Sequence, residues 1–293
     1  MWQAVFVRDA LLRAHSGLHI ELVGITTEGD RTLDVPLAEK GGKGLFLKEL
    51  EQALLDGRID LAVHSMKDVT VTEPDGLHIP VICEREDPHD ALVSTRFGDL
   101  RELPDGAVVG TCSLRRQSLL RYRFPQLKVE NLRGNVNRRL QRLDDGDFDA
   151  IILAAAGLLR LQMAGRIRQR IPTGIMLPAV GQGAVGVQCR SDDADTTALL
   201  MPLDHAPTHA RITAERAANA HLGGGCHVPI GAFAEIEGEQ LYLRGLVGRP
   251  DGSEILFASA KGLVSEAEAV GHTLADDLLG QGAKALLQEF ANA

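Results

Sequence analysis

Between residues 18 and 157 short apolar runs alternate with stretches of helical spacing, and this alternation limits the fold more than any other feature of the chain. LHIELVGI (18–25) alternates like a strand, and GLFLKELEQALLDG (44–57) has helical spacing that stops at Gly57. IDLAVHS (59–65) and GLHIPVICE (76–84) read as strands. GAVVGT (106–111) runs into the helical CSLRRQSLLRYRF, and LKVENLRG (127–134) into NVNRRLQRLDDG (135–146). FDAIILAAAG (148–157) reads as a further strand. Strands alternating with helices predict parallel or mixed sheets covered by helices, an α/β fold.

Two seams interrupt the pattern. EREDPHD (84–90) is charged and contains Pro88, and LPAVGQGAVGVQCR (177–190) is a strand-like crossing rich in glycine. Two crossings between two α/β units predict paired lobes with a cleft between them. Beyond residue 206 the character changes. A helix (207–222) precedes a glycine loop, the strands IGAFAEIE, QLYLRGLVG and SEILFASAKG follow, and a terminal helix spans about 265–290. That is a small α+β domain.

The 293 residues suffice for two or three domains. A net charge of −9 argues against general nucleic-acid binding, but the charge is unevenly spread. Residues 101–170 hold thirteen Arg and one Lys against seven acids, an arginine-rich island in an acidic protein. Such an island predicts an anionic ligand. Its only aromatic residues, Tyr122, Phe124 and Phe148, make a poor base-stacking platform, so a small polycarboxylate or phosphate fits better than a polynucleotide. Cys83, Cys112, Cys189 and Cys226 form no C-x-x-C pair, neither a disulfide framework nor a zinc ribbon. No run of 18 apolar residues or cleavable signal pattern occurs in the sequence. Together these features predict a soluble, cytoplasmic protein.

Four stretches carry chemistry. VHSMKDV (63–69) ends a strand and presents Ser65, Lys67 and Asp68, where ligands of open α/β sheets gather; a polar strand exit is the plain alternative. GTCSLRRQSLL (110–120) turns from strand to helix, with Thr111 and Ser113 as N-cap candidates and Arg115 and Arg116 beside the free N–H groups. Adjacent arginines diverge on a helix, so one of the two is expected to face only solvent. NLRGNVNRRL (131–140) repeats the layout with Arg133, Arg138 and Arg139, and Arg160 follows the next strand. Guanidinium forks match carboxylates and phosphates. HLGGGCHVPIGAF (221–233) brings three glycines up to Cys226. That thiol reads either as a small buried hydrophobe or as a group that something must approach closely. GQGAVG (181–186) matches a dinucleotide fingerprint only in letters, because strand rather than helix follows it, and no metal-ligand spacing is found.

Taken in order, GGKGLF, AVHSMKD, ICERED, GTCSLRRQ, LRGNVNRRL, DAIILAAAGL, LPAVGQGA and GGCHVPIG resemble the porphobilinogen deaminase family over nearly the whole chain. The resemblance implies two lobes like those of periplasmic binding proteins, with mixed sheets, plus the α+β domain. It divides the chain into 1–84 with 184–203, 89–178, and 206–293. It implies a hydroxymethylbilane synthase, a transferase of tetrapyrrole biosynthesis with a dipyrromethane cofactor held by a thioether to Cys226. Four porphobilinogen units are added to that primer with loss of ammonia, and the linear tetrapyrrole is released by hydrolysis. By resemblance Asp68 is the catalytic carboxylate, beside the cation that ammonia leaves. Ser65, Lys67, Thr111, Ser113, Arg115, Arg116, Arg133, Arg139 and Gln182 hold the cofactor and incoming ring, and Lys43 and Arg160 are further substrate-side positions. The family implies a monomer that hands its product to a following enzyme, with no metal, nucleic acid or membrane partner. Arg138 has no role by this match.

The chain departs from the family pattern twice. Cys112 stands where serine is common. Family members carry a first strand and an S-P-L-A-x-W-Q-A motif, whereas here Met1 takes the x position. The expectation is a natural start about a dozen residues earlier, and a shorter form that is less stable, poorly loaded and weakly active or inactive. The competing reading is a two-lobed binding protein for a small polyanion.

Overall fold

The computed structural model describes residues 1–26, 47–224 and 228–291. Lys43, Cys226 and the glycine-rich start of GGKGLF lie outside the described residues, as do the first three residues of the helix expected over 44–57.

Helix α1 (Trp2–Ala14) and α2 (Lys48–Leu55) precede β1 (Leu61–Ser65), and β1 ends in a single 3₁₀ turn, Met66–Asp68. After β2 (Leu77–Ile82) the chain crosses to β3 (Asp90–Val93) and β4 (Val108–Gly110), then α3 (Leu114–Arg123), β5 (Lys128–Glu130), α4 (Val136–Asp144) and β6 (Ala150–Ala154). Helix α5 (Ala155–Arg160) and β7 (Gln169–Ile171) lead to the return strand β8 (Val185–Arg190) and α6 (Ala194–Leu200). Helix α7 (Ala206–His221), strands β9 (Ile230–Glu237), β10 (Gln240–Gly248) and β11 (Ile255–Leu263), and helices α8 (Ala267–Gly280) and α9 (Ala283–Ala291) complete the chain.

Among the described residues three sheets result, in the orders β1-β8-β2, β5-β4-β6-β3-β7 and β11-β10-β9. The five-stranded sheet is mixed: β4 runs parallel to β5 and β6, and β3 antiparallel to β6 and β7. The three described strands of the first sheet all run antiparallel, so among the described residues the parallel pairing implied by strand–helix alternation is found in the second lobe. Strand β8 supplies the centre of the first sheet, pairing Leu61 with Cys189 and Leu77 with Arg190.

Several expected elements are corrected. LHIELVGI forms no strand and has no ladder partner among the described residues, while Leu18 and Ile20 still pack on the first-lobe core. Alternation reports one buried face, and a face can be buried without a ladder. FDAIILAAAG is a strand only to Ala154; Ala155 starts α5, since small apolar residues serve either state. The crossing at 177–190 is strand only from Val185. The terminal helix is two helices, α8 and α9. Strands β3 and β7 escape sequence reading because each is short and embedded in charges, although all four residues of β3 are buried.

The cores cross the lobe boundaries. Phe233 and Leu246 of the third sheet join the buried cluster of Leu92, Leu100, Val109, Leu119 and Ile152 in the second lobe. Ile212 of α7 packs with Met66, Val69, Ile82 and Ala184 beneath the first sheet.

Candidate active site

The turn Met66–Asp68 takes its position from both sides of β1. Ser65 pairs with Val185, the Met66 N–H donates to the Ala184 carbonyl (3.0 Å), and the Met66 side chain is buried against Ile212. This leaves Lys67 and Asp68 at the carboxyl end of the strand, facing the second lobe. The glycines of GQGAVG explain how the crossing fits so closely. Gly181 (φ +70°) lies against Met66 and Lys67, and Gly183 (φ +89°) against the Glu86 carbonyl, where a Cβ at either would collide with backbone.

Asp68 and Lys67 sit on the floor of this junction. The Asp68 side chain is open to water, yet protein crowds it on most sides, as in a recess rather than a core. That crowding raises its pKa above the ordinary carboxylate range, against the opposing pull of Lys67 and Arg139. Burial likewise lowers the Lys67 pKa; Asp68 and Asp90 oppose the fall, and Arg116 and Arg139 add to it. Arg139 donates through Nε to the Gly134 carbonyl (2.7 Å), lies 3.9 Å from Cys112 Sγ, and feels Arg116, Arg133 and Asp68. Lys67, Asp68, Arg116, Arg133 and Arg139 therefore form one electrostatic cluster.

The start of α3 closes the next wall. Ser113 is its N-cap and accepts from the Arg116 N–H, and the Thr111 hydroxyl accepts from the Ser113 N–H (3.2 Å). The expectation that one of the two adjacent arginines faces solvent is corrected. Both are buried, because both reach the carboxylate of Asp90. Arg115 Nη1 donates to Asp90 Oδ2 (2.7 Å), while Arg116 Nε and Nη2 donate to Oδ1 (2.9 and 2.7 Å). Gln182 Nε2 adds a bond to the same Oδ1 (3.0 Å) and one to the Pro88 carbonyl (2.7 Å). The two guanidinium groups hold the Asp90 pKa far below the usual carboxylate range despite full burial.

A cavity opens where the three sheets meet. Lys67, Ser113, Arg115, Arg216 and Asn219 supply its polar wall, and Met66, Val69, Leu114 and Ile230 its apolar one. Val228, immediately after the segment that contains Cys226, also lines it. Arg115 Nε is buried with no acceptor among the described groups. Arg160 stands apart, donating to the Gly183 carbonyl (2.8 Å) and stacking over Trp2 (5.3 Å). Arg138 is exposed.

Sequence reasoning missed three groups. Asp90 was hidden in a charged run read as a linker. Arg85, in the same run, forms a buried pair with Glu215 of α7 (2.6 Å), and Glu215 in turn accepts from the Gly181 N–H (2.8 Å). Arg216 donates to the Thr70 carbonyl (3.1 Å). The available signal was a run of alternating charge beside apolar strands, where paired burial is the cheaper outcome.

Among the described residues no helix is long and apolar enough to cross a membrane. Comparison with solved structures finds distant likenesses. One is a periplasmic substrate-binding protein of an ABC transporter from Coxiella burnetii, 14% identical over 69% of this chain and 88% of that one, with TM-score 0.44. Another is a nutrient-binding protein from Burkholderia cenocepacia bound to methionine, 14% identical over 68% and 86%, with TM-score 0.42. At that distance they carry no argument about function. Family models match far more of the sequence. Residues 1–198 match the porphobilinogen deaminase dipyromethane cofactor binding domain, and residues 209–280 the porphobilinogen deaminase C-terminal domain. The chain belongs to the porphobilinogen deaminase family, transferases of tetrapyrrole biosynthesis with hydroxymethylbilane synthase activity, whose cofactor is dipyrromethane and whose substrate is porphobilinogen.

Proposed function

We propose that this member of the family joins four porphobilinogen units on a dipyrromethane attached to Cys226 and releases the linear product by hydrolysis. The observation that carries the reading is the cavity at the meeting of the three sheets. It combines apolar walls with Lys67, Arg115 and Arg216, and its Val228 lies two residues from Cys226. The donor set fits the cofactor: two flat rings bearing carboxylates suit an apolar slot rimmed by cations, and Arg115 Nε has no acceptor among the described residues. When bound, the group supplies a nucleophilic pyrrole carbon to which the units are joined.

In this reading Lys67, Ser113, Arg115, Arg133 and Arg139 hold acetate and propionate side chains, and Ser65, Thr111, Arg116 and Gln182 support them from behind. Arg160 and Lys43 act on the incoming substrate. Asp68 accepts a hydrogen bond from a pyrrole N–H and faces the positive charge left when the aminomethyl C–N bond breaks and ammonia departs. Asp68 would also be the base for the proton that joining the next unit releases. Cys83 and Cys189 are unsuited to attachment: both are buried, and burial pushes the Cys83 thiol up to about 11.

We also read the chain as three units, 1–84 with 184–203, 89–178, and 206–293, a division supported by the three separate sheets. The free state of Cys83, Cys112 and Cys189 supports a reducing, cytoplasmic setting. A monomer that passes its product onward completes the reading. The test is intact mass together with porphobilinogen turnover. Wild type is expected to carry the dipyrromethane increment and to consume porphobilinogen, and Cys226→Ser to do neither. A loaded Cys226→Ser protein, or a bare wild type without turnover, rejects the reading.

A further inference from the structure

We propose that Asp90 is a positioning residue of this site, gripping the Arg115 and Arg116 guanidinium groups by one edge and so aiming the start of α3 at the bound carboxylates. The inference rests on the reading above and adds a residue outside every motif that carries it. Asp90 opens β3 and is fully buried. It receives four side-chain hydrogen bonds, one from Arg115, two from Arg116 and one from Gln182, over sequence separations of 25, 26 and 92 residues. Each arginine is fixed at a second point by a backbone carbonyl, Leu177 for Arg115 and Ile152 for Arg116.

Two adjacent guanidinium groups repel each other, and without a carboxylate between them neither would keep its place in a buried site. Asp90 cancels one of the two charges. It leaves Arg115 in the cavity wall with Nε facing no acceptor among the described residues. The same carboxylate supports the Lys67 ammonium, which is also faced by Asp68 in favour and by Arg116 and Arg139 against. Arg115 and Arg216 are the other charged groups of the cavity wall. A residue that only packed β3 would affect neither ligand affinity nor the ionisation of Lys67.

The experiment compares wild type, Asp90→Asn and Asp90→Glu as purified full-length enzymes. It measures kcat and KM for porphobilinogen across pH, the share of protein carrying the dipyrromethane mass increment, and thermal melting. Asp90→Asn is expected to raise KM at least tenfold with a smaller loss in kcat. It should also lower the loaded share and move the alkaline limb of the pH profile to lower pH. Asp90→Glu keeps the charge but displaces it by one methylene, so it should keep the wild-type alkaline limb while raising KM. A folded Asp90→Asn protein with wild-type KM, loading and pH profile overturns the proposal. If Asp90→Asn does not fold, Asp90→Glu decides, and an unchanged KM there overturns it. Failure of wild type to turn over porphobilinogen is a different result and sinks the underlying reading instead.

Discussion

A carboxylate that faces a cation works only while it is ionised, and Asp68 is placed where ionisation is opposed by crowding and favoured by Lys67 and Arg139. Its pKa is raised, so turnover should fail on the acid side at a higher pH than an ordinary aspartate near 3.8 would allow. Asp68→Asn keeps the shape and loses the charge. Turnover is expected to fall about a hundredfold or more with the fold intact, the scale on which one electrostatic partner acts. A variant retaining a tenth of wild-type turnover would remove Asp68 from the mechanism. His64 gives a second pH effect, this time on stability. It is buried in β1 beside Gln188 Oε1 (3.0 Å), and burial lowers its pKa from 6.5 to about 4. Between those two values the unfolded chain binds the proton and the folded chain does not, so stability present above pH 6.5 is lost as pH falls toward 4. The loss approaches about 3 kcal/mol. Urea midpoints at pH 7 and 4.5 should converge in His64→Gln relative to wild type; an unchanged gap would place the acid sensitivity elsewhere.

Helix α3 shows how far a sequence reaches and where it stops. Its start was legible, because Ser113 before an apolar-spaced run is an N-cap signal and Ser113 does accept from the Arg116 N–H. The fates of its arginines were not legible. Arg121 and Arg123 lie late in the helix, where spacing alone gives no reason to expect anything but solvent. Arg121 instead donates to the Pro250 carbonyl (2.6 Å) and the Val129 carbonyl (3.0 Å), while Arg123 is exposed over the Phe257 ring. Helical spacing gives the direction of a side chain, but the turn at Pro250 that meets it comes from another sheet. The same limit hid β3, whose partners β6 and β7 lie more than fifty residues ahead of it in the chain. Arg121→Ala should therefore cost about 2–3 kcal/mol of stability with little change in KM, and Arg123→Ala should leave both unchanged. Equal stability of the two variants in urea melts would contradict the contact. β1, β4, α3, β5 and α4, which carry AVHSMKD, GTCSLRRQ and LRGNVNRRL, were legible because each announces itself within ten residues; Asp90 and Glu215 were not, because their partners are remote.

At the scale of the whole molecule, charge and topology act together. The arginine-rich island is partly spent internally on Asp90, and only part of it faces the cavity. The buried Arg85–Glu215 pair and the shared cluster around Phe233 tie the third unit to both lobes. Strand β8 has a further consequence, one of timing. Leu61 waits for Cys189 and Leu77 for Arg190, whereas the five-stranded sheet needs only residues 90–171. As the polypeptide leaves the ribosome, β1 and β2 emerge early, and their ladder partner among the described residues, β8, follows only after more than a hundred further residues, leaving edges that favour aggregation. Refolding should run in the same order, since distant pairings close slowly. Pulsed hydrogen exchange is expected to protect Val109 and Ile151 before Val63 and Val81, and simultaneous protection would show that the two sheets form together. A nascent chain paused before residue 185 would thus carry a paired five-stranded sheet whose core still lacks Phe233 and Leu246, beside an unfinished first lobe, the form in which a chaperone would meet it.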